Sequence, residues 1–134
     1  MSRRERCLLA LAFLLAGAAV VPAEDAPSGS PDDTAIRKVI GDYGRAIQTK
    51  DVELFKSVKP NLTPDEEKRT RSAFESVKSQ EVKITVLGVE VHGTEAVVKV
   101  SRRDTINGSL VSSFPQTFRL TRAKAGWAIL EIGK

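Results

Sequence analysis

The sequence is poor in the side chains that most often carry chemistry. Among its 134 residues it has one Cys, one His, one Met, one Trp and one Tyr. The cysteine, Cys7, lies in an N-terminal segment that we expect to be removed. The remaining chain then has no thiol for a disulfide, a nucleophile or a thiolate metal site. With a single histidine as well, the sequence predicts no metal site and no cofactor.

Residues 1–23 have the organisation of an export signal. Arg3, Arg4 and Arg6 precede an apolar stretch from Cys7 to Val21, and small residues follow it. This stretch is about 15 residues long, whereas a helix that spans a bilayer needs roughly 20. We therefore predict a signal peptide over residues 1–23 and a periplasmic or secreted protein. We expect no stable membrane insertion after cleavage; a retained anchor is the alternative, and the general secretory and twin-arginine routes both stay open.

The rest of the chain predicts one domain behind a short tether. Residues 24–33 contain no large apolar side chain, which is typical of a flexible linker. Residues 34–134 form a single domain by length. The formal net charge of the whole chain is only +4, and it falls when the leading arginines are removed. This small charge argues against a nucleic-acid partner.

The first half of the domain has the pattern of three helices. In the first, apolar residues recur at helical spacing after Asp32 or Asp33, either of which can cap a helix. These apolar residues are Ile36, Val39, Ile40, Tyr43 and Ile47. Asp51 is predicted to cap a second, short helix that ends before Pro60.

The third helix carries the strongest start signal. Thr63-Pro64-Asp65-Glu66 has the pattern of a capping box with proline at the first helical position. The helix is predicted to run to about Lys78. It is heavily charged, and only Ala73, Phe74 and Val77 are available for a contact face.

From Glu81 the apolar period changes to two, which predicts strands. The phase switches at Gly88, so we predict a β-bulge there that bends the sheet. Turns are expected at 92–95 and at Asn107-Gly108, and Pro115 predicts a sheet edge or a bulge in the third strand. The predicted fold class is α+β, with N-terminal helices packed on a curved four-stranded antiparallel sheet.

At this point the chain resembles the NTF2-like superfamily, which includes nuclear transport factor 2, the SnoaL-type cyclases and ketosteroid isomerase. The segments that carry the resemblance are 40–55 with its helix–Asp–helix spacing, the bent hairpin Val82–Asp104, and the closing strand 126–129 preceded by Phe118-Arg119-Leu120. The resemblance implies an α+β cone with a cavity between helices and sheet. It also implies a homodimer formed through the outer face of the sheet, where Val97, Lys99 and Ser101 are expected. A cystatin-like layer of helix on sheet shares most of these signals.

Tyr43 and a pair of charged residues are the main candidates for chemistry. Ketosteroid isomerases resemble this segment with a Tyr at the place of Tyr43, where it helps to hold an oxyanion. The carboxylate base that such an enzyme needs is missing after Phe55. Alternation along the second strand places Arg102 and Asp104 on the inner face, where they would clasp an anionic ligand or simply form an ion pair. His92 is predicted to be a solvated turn residue.

These observations favour a non-catalytic role over catalysis. The first hypothesis is an exported NTF2-like domain that binds a small apolar or anionic molecule, or a partner protein. Its predicted ligand-binding residues are Tyr43, Phe55, Phe74, Arg102, Asp104, Phe118 and Trp127. One alternative is an isomerase or hydratase of the SnoaL or ketosteroid-isomerase type that uses Tyr43 and Asp104. The other is a purely structural dimerisation module whose cone is filled by its own side chains.

Overall fold

Three helices precede four strands, in the order that the sequence predicts. The computed structural model describes residues 30–133, so the predictions for residues 1–29 lie outside it. The elements are α1 (Pro31–Thr49), α2 (Val52–Val58), α3 (Pro64–Glu75), β1 (Gln80–His92), β2 (Glu95–Ile106), β3 (Leu110–Ala123) and β4 (Gly126–Gly133). In this part of the chain, the helices are too short or too polar for any of them to cross a bilayer.

Helix α1 begins earlier than predicted. Ser30 is the N-cap, because its side-chain oxygen accepts a hydrogen bond from the backbone N–H of Asp33 at 3.0 Å. The prediction that Asp32 or Asp33 caps this helix was therefore wrong. Pro31 opens the helix, and the two aspartates occupy its first turn, where negative charge favours the helix dipole. The predicted apolar stripe is confirmed, with Ile36, Ile40, Tyr43 and Ile47 buried and Val39 half-buried.

The caps of α2 and α3 are the predicted ones. Asp51 Oδ1 accepts from the N–H of Leu54 at 3.0 Å. In α3, the hydroxyl of Thr63 accepts from the N–H of Glu66 at 3.1 Å, and the Glu66 carboxylate accepts from the N–H of Thr63 at 3.0 Å. This confirms the capping box.

Helix α3 is shorter than predicted and buries less. It ends at Glu75, and of the three predicted contact residues only Phe74 is a buried helical residue. Ala73 is exposed, and Val77 lies beyond the helix. Where the chain turns toward β1, the ammonium group of Lys50 donates to the carbonyl oxygens of Val77 and Lys78.

The four strands form one antiparallel sheet in the order β1-β2-β3-β4. The register between β1 and β2 shifts between Val86 and Gly88, which confirms the bulge predicted at Gly88. A second shift lies between β3 and β4, at Arg119 and Leu120. The turn between β2 and β3 is also as predicted, because Asn107 and Gly108 have φ angles of 53° and 80°.

The core lies between the helices and the inner face of the sheet. Helix α1 packs against β1 and β4, and α2 packs against α1 and β4. Along β2 the inner residues Ala96, Val98 and Val100 are buried, while Lys99 and Ser101 are exposed on the outer face. The largest fully buried side chains are Phe118, Ile36, Ile40, Leu120, Ile129, Val98 and Val100. The fold is α+β, with helices on a bent four-stranded antiparallel sheet, as predicted.

Candidate functional site

A buried ion pair lies on the inner face of β2. Arg102 and Asp104 are two positions apart on the strand and therefore share one face. Their residues are 8% and 4% exposed. Nε and Nη2 of Arg102 donate to the two carboxylate oxygens of Asp104, each at 2.7 Å. This bidentate geometry is the strong form of an ion pair, and it confirms the predicted placement of both residues on the inner face.

The ion pair is linked to three further elements. Nη1 of Arg102 donates to the hydroxyl of Tyr43 in α1 at 3.0 Å and to the side-chain oxygen of Gln116 in β3 at 3.4 Å. The amide of Gln80, the first residue of β1, donates to Asp104 Oδ2 at 2.8 Å. We call these residues (Gln80, Tyr43, Arg102, Asp104 and Gln116) the Arg102 cluster. It ties α1 to the first three strands of the sheet.

Two members of the Arg102 cluster were not identified from the sequence. Gln116 lies between Phe114 and Phe118 at the inward-facing positions of β3, so a polar residue on an apolar face was the available signal. Gln80 precedes the apolar alternation of β1, and its long side chain reaches Asp104 only because β1 and β2 pair in this register. The sequence offered no comparable signal for Gln80.

Aromatic rings enclose the Arg102 guanidinium. Its central carbon lies 5.7 Å from the centre of the Tyr43 ring and 5.2 Å from that of Phe114, within the range of cation–π contacts. Burial by itself disfavours the charged guanidinium, but the hydrogen bonds and negative charge of Asp104 outweigh it. The pKa of Arg102 is therefore raised above its ordinary value. The guanidinium stays charged inside the cone.

The Arg102 cluster is organised to hold charge in place. Both oxygens of Asp104 accept from Arg102, and one of them also accepts from Gln80. These three hydrogen bonds use most of the roughly four acceptor sites of the carboxylate, which leaves little capacity for the proton that a general base would remove. The Tyr43 hydroxyl accepts from Arg102, so its own proton is still available for donation.

The structure brings most of the predicted ligand-binding residues together. The Tyr43 ring lies 5.1 Å from Phe118 and 5.7 Å from Phe55, and Phe55 lies 6.1 Å from Phe74, measured between ring centres. With Arg102 and Asp104 these aromatics form one continuous group. They fill the space between α1, α2, α3 and the sheet.

Trp127 has different neighbours. Its ring stacks under the Arg122 guanidinium, with 4.6 Å between the guanidinium carbon and the ring centre. Its Nε1 donates to Asp32 Oδ1 at 3.3 Å, and Arg122 binds both oxygens of Asp32 at 2.8 and 2.9 Å. Trp127 thus belongs to a cluster that attaches the first turn of α1 to the β3–β4 hairpin.

An apolar groove opens where α2, α3 and β4 meet. It encloses about 310 Å³. Phe55, Leu62, Ala73 and Ile132 supply its apolar walls. Phe55 also packs on Tyr43, so the groove reaches the aromatic group that covers the Arg102 cluster.

Charged side chains line the rim of this groove. They are Lys59, Glu66 and Arg69, and Thr70 adds a hydroxyl. The pKa of Glu66 is lowered, mainly by the backbone hydrogen bond from Thr63 and then by the positive charges of Lys59 and Arg69. The rim therefore combines two cations with one carboxylate that stays ionised.

Three larger grooves follow the margin between α1 and β1. Two of them enclose about 420 and 480 Å³, and both are lined by Gln48, Glu81 and Thr105. The third encloses about 360 Å³. None of the predicted ligand-binding residues lines any of the three. Across residues 30–133, no three His, Cys, Asp or Glu side chains are placed to share a metal ion.

No other element among residues 30–133 covers the outer face of the sheet, and this face is mostly polar. Lys99 and Ser101 are exposed there, and Val97 is half-buried. Lys83 and Arg103 lie directly opposite each other on β1 and β2, which places two like charges side by side. His92, at the end of β1, is exposed as predicted.

Comparison with known proteins identifies the fold. No protein-family model and no curated protein matches this sequence. Solved structures do match it. Kfla4162 from Kribbella flavida aligns over 76% of this chain and 88% of its own, with a TM-score of 0.67 and 14% identity. An NTF2-like family protein from Streptomyces avermitilis, named as a candidate dehydratase, aligns over 76% and 94%, with a TM-score of 0.63 and 13% identity.

A third solved structure has a name of another kind. It is a protein from Thiobacillus denitrificans named for the association domain of a calcium/calmodulin-dependent protein kinase type II. It aligns over 84% of this chain and 96% of its own, with a TM-score of 0.63 and 12% identity. The chain has the NTF2-like fold. Of these solved structures, one is named for an enzyme and another for an association domain, so the fold leaves the function open.

Proposed function

We propose that this NTF2-like domain is a non-catalytic module of an exported protein, and that it binds a small apolar molecule with an anionic group. The proposed site is the groove between α2, α3 and β4. The observation that carries the proposal is the closed bonding of the Arg102 cluster, which occupies the interior of the cone. A ligand is then expected in this groove, where the side chains of Phe55 and Ile132 form part of the wall.

The bonding of Asp104 supports the non-catalytic part of the proposal. Breaking its bidentate contact with Arg102 would leave two buried charges unpaired, which costs about 3–5 kcal/mol in comparable sites. An enzyme that used Asp104 to remove a proton would first have to break this contact, and that free-energy cost would be added to the cost of the reaction itself. The aromatic side chains of Tyr43, Phe55 and Phe118 also occupy the volume that a substrate would need.

The chemistry of the groove supports the ligand class. Its walls are apolar side chains, and a site of that kind favours an apolar ligand with few polar contacts. Lys59 and Arg69 are at the rim, where they can pair with a carboxylate or a sulfonate at the solvent end of the ligand. A medium-chain fatty acid has this combination of features.

An isomerase or hydratase that uses Tyr43 and Asp104 is the second candidate. The observation that favours it is that Asp104 is buried and joined to Tyr43 through a single side chain, Arg102. Such an enzyme would exchange a proton next to a carbonyl group of its ligand. Mass spectrometry of a ligand incubated with the protein in D₂O would detect that exchange, and Tyr43→Phe would abolish it.

Native mass spectrometry of the purified protein, followed by calorimetric titration with decanoate, tests the proposal. We expect a retained small molecule or saturable binding of decanoate. Ala73→Phe fills the groove from an exposed position on α3, so it should reduce decanoate affinity at least tenfold. Ser72→Phe adds the same ring to the neighbouring position, which does not line the groove, and should leave the affinity unchanged.

Two results would contradict the proposal. One is the absence of decanoate binding together with no retained ligand. The other is binding that Ala73→Phe leaves intact, because the ligand would then lie elsewhere. Deuterium incorporation that depends on Tyr43 would favour the enzyme instead.

A further inference from the structure

Part of β3 lacks a neighbouring strand on one side. Strand β2 pairs with β3 over its whole length from Leu110. Strand β4 pairs only with residues 117–123, and its last pair joins Gly133 to Thr117. In the part of the chain that the structure describes, residues 110–116 therefore form an open sheet edge next to the end of β4.

One hydrogen bond beyond the ladder identifies the backbone groups on this edge. The N–H of Arg122 donates to the carbonyl of Thr94 at 2.8 Å, in the same register as the β2–β3 ladder. Hydrogen-bonded and non-hydrogen-bonded pairs alternate in an antiparallel ladder. Because this register has no shift, even-numbered residues of β3 bond to β2. The odd-numbered residues face the open side, where Val111 and Ser113 offer N–H and C=O groups.

Pro115 also lies at an odd-numbered position. Its missing N–H therefore belongs to the open side, and the ladder with β2 loses nothing. The sequence predicts an edge or a bulge at this proline, and the edge is confirmed. Pro115 limits hydrogen bonding on the open edge to the stretch before it.

The side chains of this edge are uncharged. Leu110 and Val111 are 67% and 51% exposed, and no charged residue occurs between Leu110 and Gln116. Soluble proteins commonly protect an open edge with charges, above all lysine. Within residues 30–133, Pro115 is the protective feature of this edge. An uncharged edge with two exposed apolar side chains and unused backbone groups has the properties of a strand-pairing site.

We propose that this edge pairs with the same edge of a second copy of the chain, antiparallel and around a two-fold axis at Ser112. In this register Val111 lies opposite Ser113 of the second copy, and each exchanges both of its open backbone hydrogen bonds. Leu110 lies opposite Phe114 of the second copy on the inner face, so the exposed leucine packs on a half-buried ring. The two sheets become one continuous sheet.

We place the two-fold axis at Ser112 because a neighbouring symmetric register, with the axis at Ser113, forms fewer hydrogen bonds. An axis at Ser113 would put Val111 opposite Pro115, which has no N–H to donate, and would leave a carbonyl unpaired on each chain. An axis at Ser112 uses every donor of the open edge and keeps Pro115 outside the pairing. Ser109 of the second copy then lies opposite Pro115. The chain of the second copy enters its β2–β3 turn beyond Ser109, so the pairing ends before it reaches Thr117, where the pairing with β4 begins.

This surface differs from the outer face that the family resemblance implies for a dimer. The outer face carries Lys83 and Arg103 side by side and has little exposed apolar surface at its centre. The β3 edge offers unpaired backbone groups and an apolar pair instead. The edge borders the outer face, but Leu110 and Ser112 lie on the inner side of β3, so substitutions there distinguish the two surfaces.

Cysteine cross-linking tests the register directly, in a Cys7→Ser background. A non-hydrogen-bonded antiparallel pair has Cα atoms about 4.5 Å apart, which suits a disulfide. Ser112→Cys should therefore form a disulfide-linked dimer under mild oxidation. Ser101→Cys, at an exposed position on the outer face, is the matched control and should stay monomeric on a non-reducing gel.

Sedimentation equilibrium and hydrogen exchange give an independent readout. We expect a dimer that dissociates at least tenfold more readily in Leu110→Lys, while Leu87→Lys, at another exposed leucine, has no effect. In the dimer the amides of Val111 and Ser113 should be protected at high protein concentration and exchange rapidly on dilution. Circular dichroism should show that every variant is folded.

The proposal is overturned if the protein stays monomeric at hundreds of micromolar. It is also overturned if Val97→Arg breaks the dimer while Leu110→Lys does not, because the outer face would then be the interface. Binding of decanoate reports on a different surface. If decanoate does not bind, the proposed pairing of the β3 edge is unaffected. If the protein does not dimerise, the proposed ligand groove is unaffected.

Discussion

The hydroxyl of Tyr43 accepts a hydrogen bond from Nη1 of Arg102 at 3.0 Å, although the two residues are 59 positions apart in the chain. This contact attaches α1 to the inner face of β2. A buried tyrosine on a helix normally adds apolar contact area to the core, and its hydroxyl group needs one hydrogen-bond partner. Here that partner is a buried cation, so Tyr43 takes part in stabilising the ion pair as well as the core.

Asp104→Asn should be strongly destabilising. The substitution removes the charge that balances Arg102 at a site where both residues are buried. Breaking one partner of a buried pair costs about 3–5 kcal/mol, because the other charge is left uncompensated. Urea denaturation monitored by Trp127 fluorescence would measure the loss of unfolding free energy.

Two controls make that measurement specific. The double variant Arg102→Met with Asp104→Leu removes both charges and should cost less than Asp104→Asn alone. Glu131→Gln breaks the exposed Arg119–Glu131 pair and should change stability far less, since solvent screens that pair. Equal losses for Asp104→Asn and Glu131→Gln would contradict the role of the buried pair.

The stability of the protein should fall in acid partly through Asp32. The hydrogen bond from Arg122 holds the pKa of Asp32 below its ordinary value of 3.8. A carboxyl group whose pKa is lowered by folding stabilises the protein above its ordinary pKa. That contribution is lost as the pH falls from about 4 through the lower, folded-state pKa.

Asp32→Asn tests this linkage. In the variant, the unfolding free energy measured by urea denaturation should decline less steeply below pH 4 than in the parent protein. Part of the decline should remain, because Glu66 and Glu67 also have lowered pKa values. Asp65→Asn, an exposed carboxylate at the start of α3, serves as the matched control. Identical slopes for the parent and Asp32→Asn would show that the Arg122 contact contributes nothing.

Gly41→Ala and Gly44→Ala should have different effects on stability. A methyl group at Gly41 would meet no atom within 4 Å, so alanine should stabilise α1 by about 0.5–1 kcal/mol. A methyl group at Gly44 would lie 3.2 Å from Ile84 Cδ1, so part of that gain would be lost in moving the isoleucine. Thermal unfolding of both variants gives the comparison. A larger gain at Gly44 than at Gly41 would contradict the close packing of α1 on β1.

Local signals in the sequence predicted the helices and turns well. Asp51, Thr63 and Glu66 cap helices as expected, since each cap needs only a side chain that reaches the next turn of its own helix. The error at the start of α1 has the same origin. Ser30, Asp32 and Asp33 are all suitable caps. Pro31 was the available signal for Ser30, because proline favours the first helical position, as Pro64 does in α3.

The candidate site was predicted only in part. Alternation along β2 placed Arg102 and Asp104 on the inner face, because every second residue of a strand shares a side. It did not predict that Gln80 and Gln116 would join them, since those contacts depend on the register of two strand pairs. The contact of Trp127 with Asp32 likewise depends on where the β3–β4 hairpin meets α1.

The sequence by itself determined the order of elements, the bulge at Gly88 and the inward face of β2. It could do so because caps, turns and alternation act over a few residues. Only the tertiary structure decided that the buried polar side chains of the Arg102 cluster bind one another inside the cone. It also decided that residues 110–116 form an open sheet edge. Both outcomes depend on strand register and on where β4 ends. Those quantities are set by contacts between residues far apart in the chain.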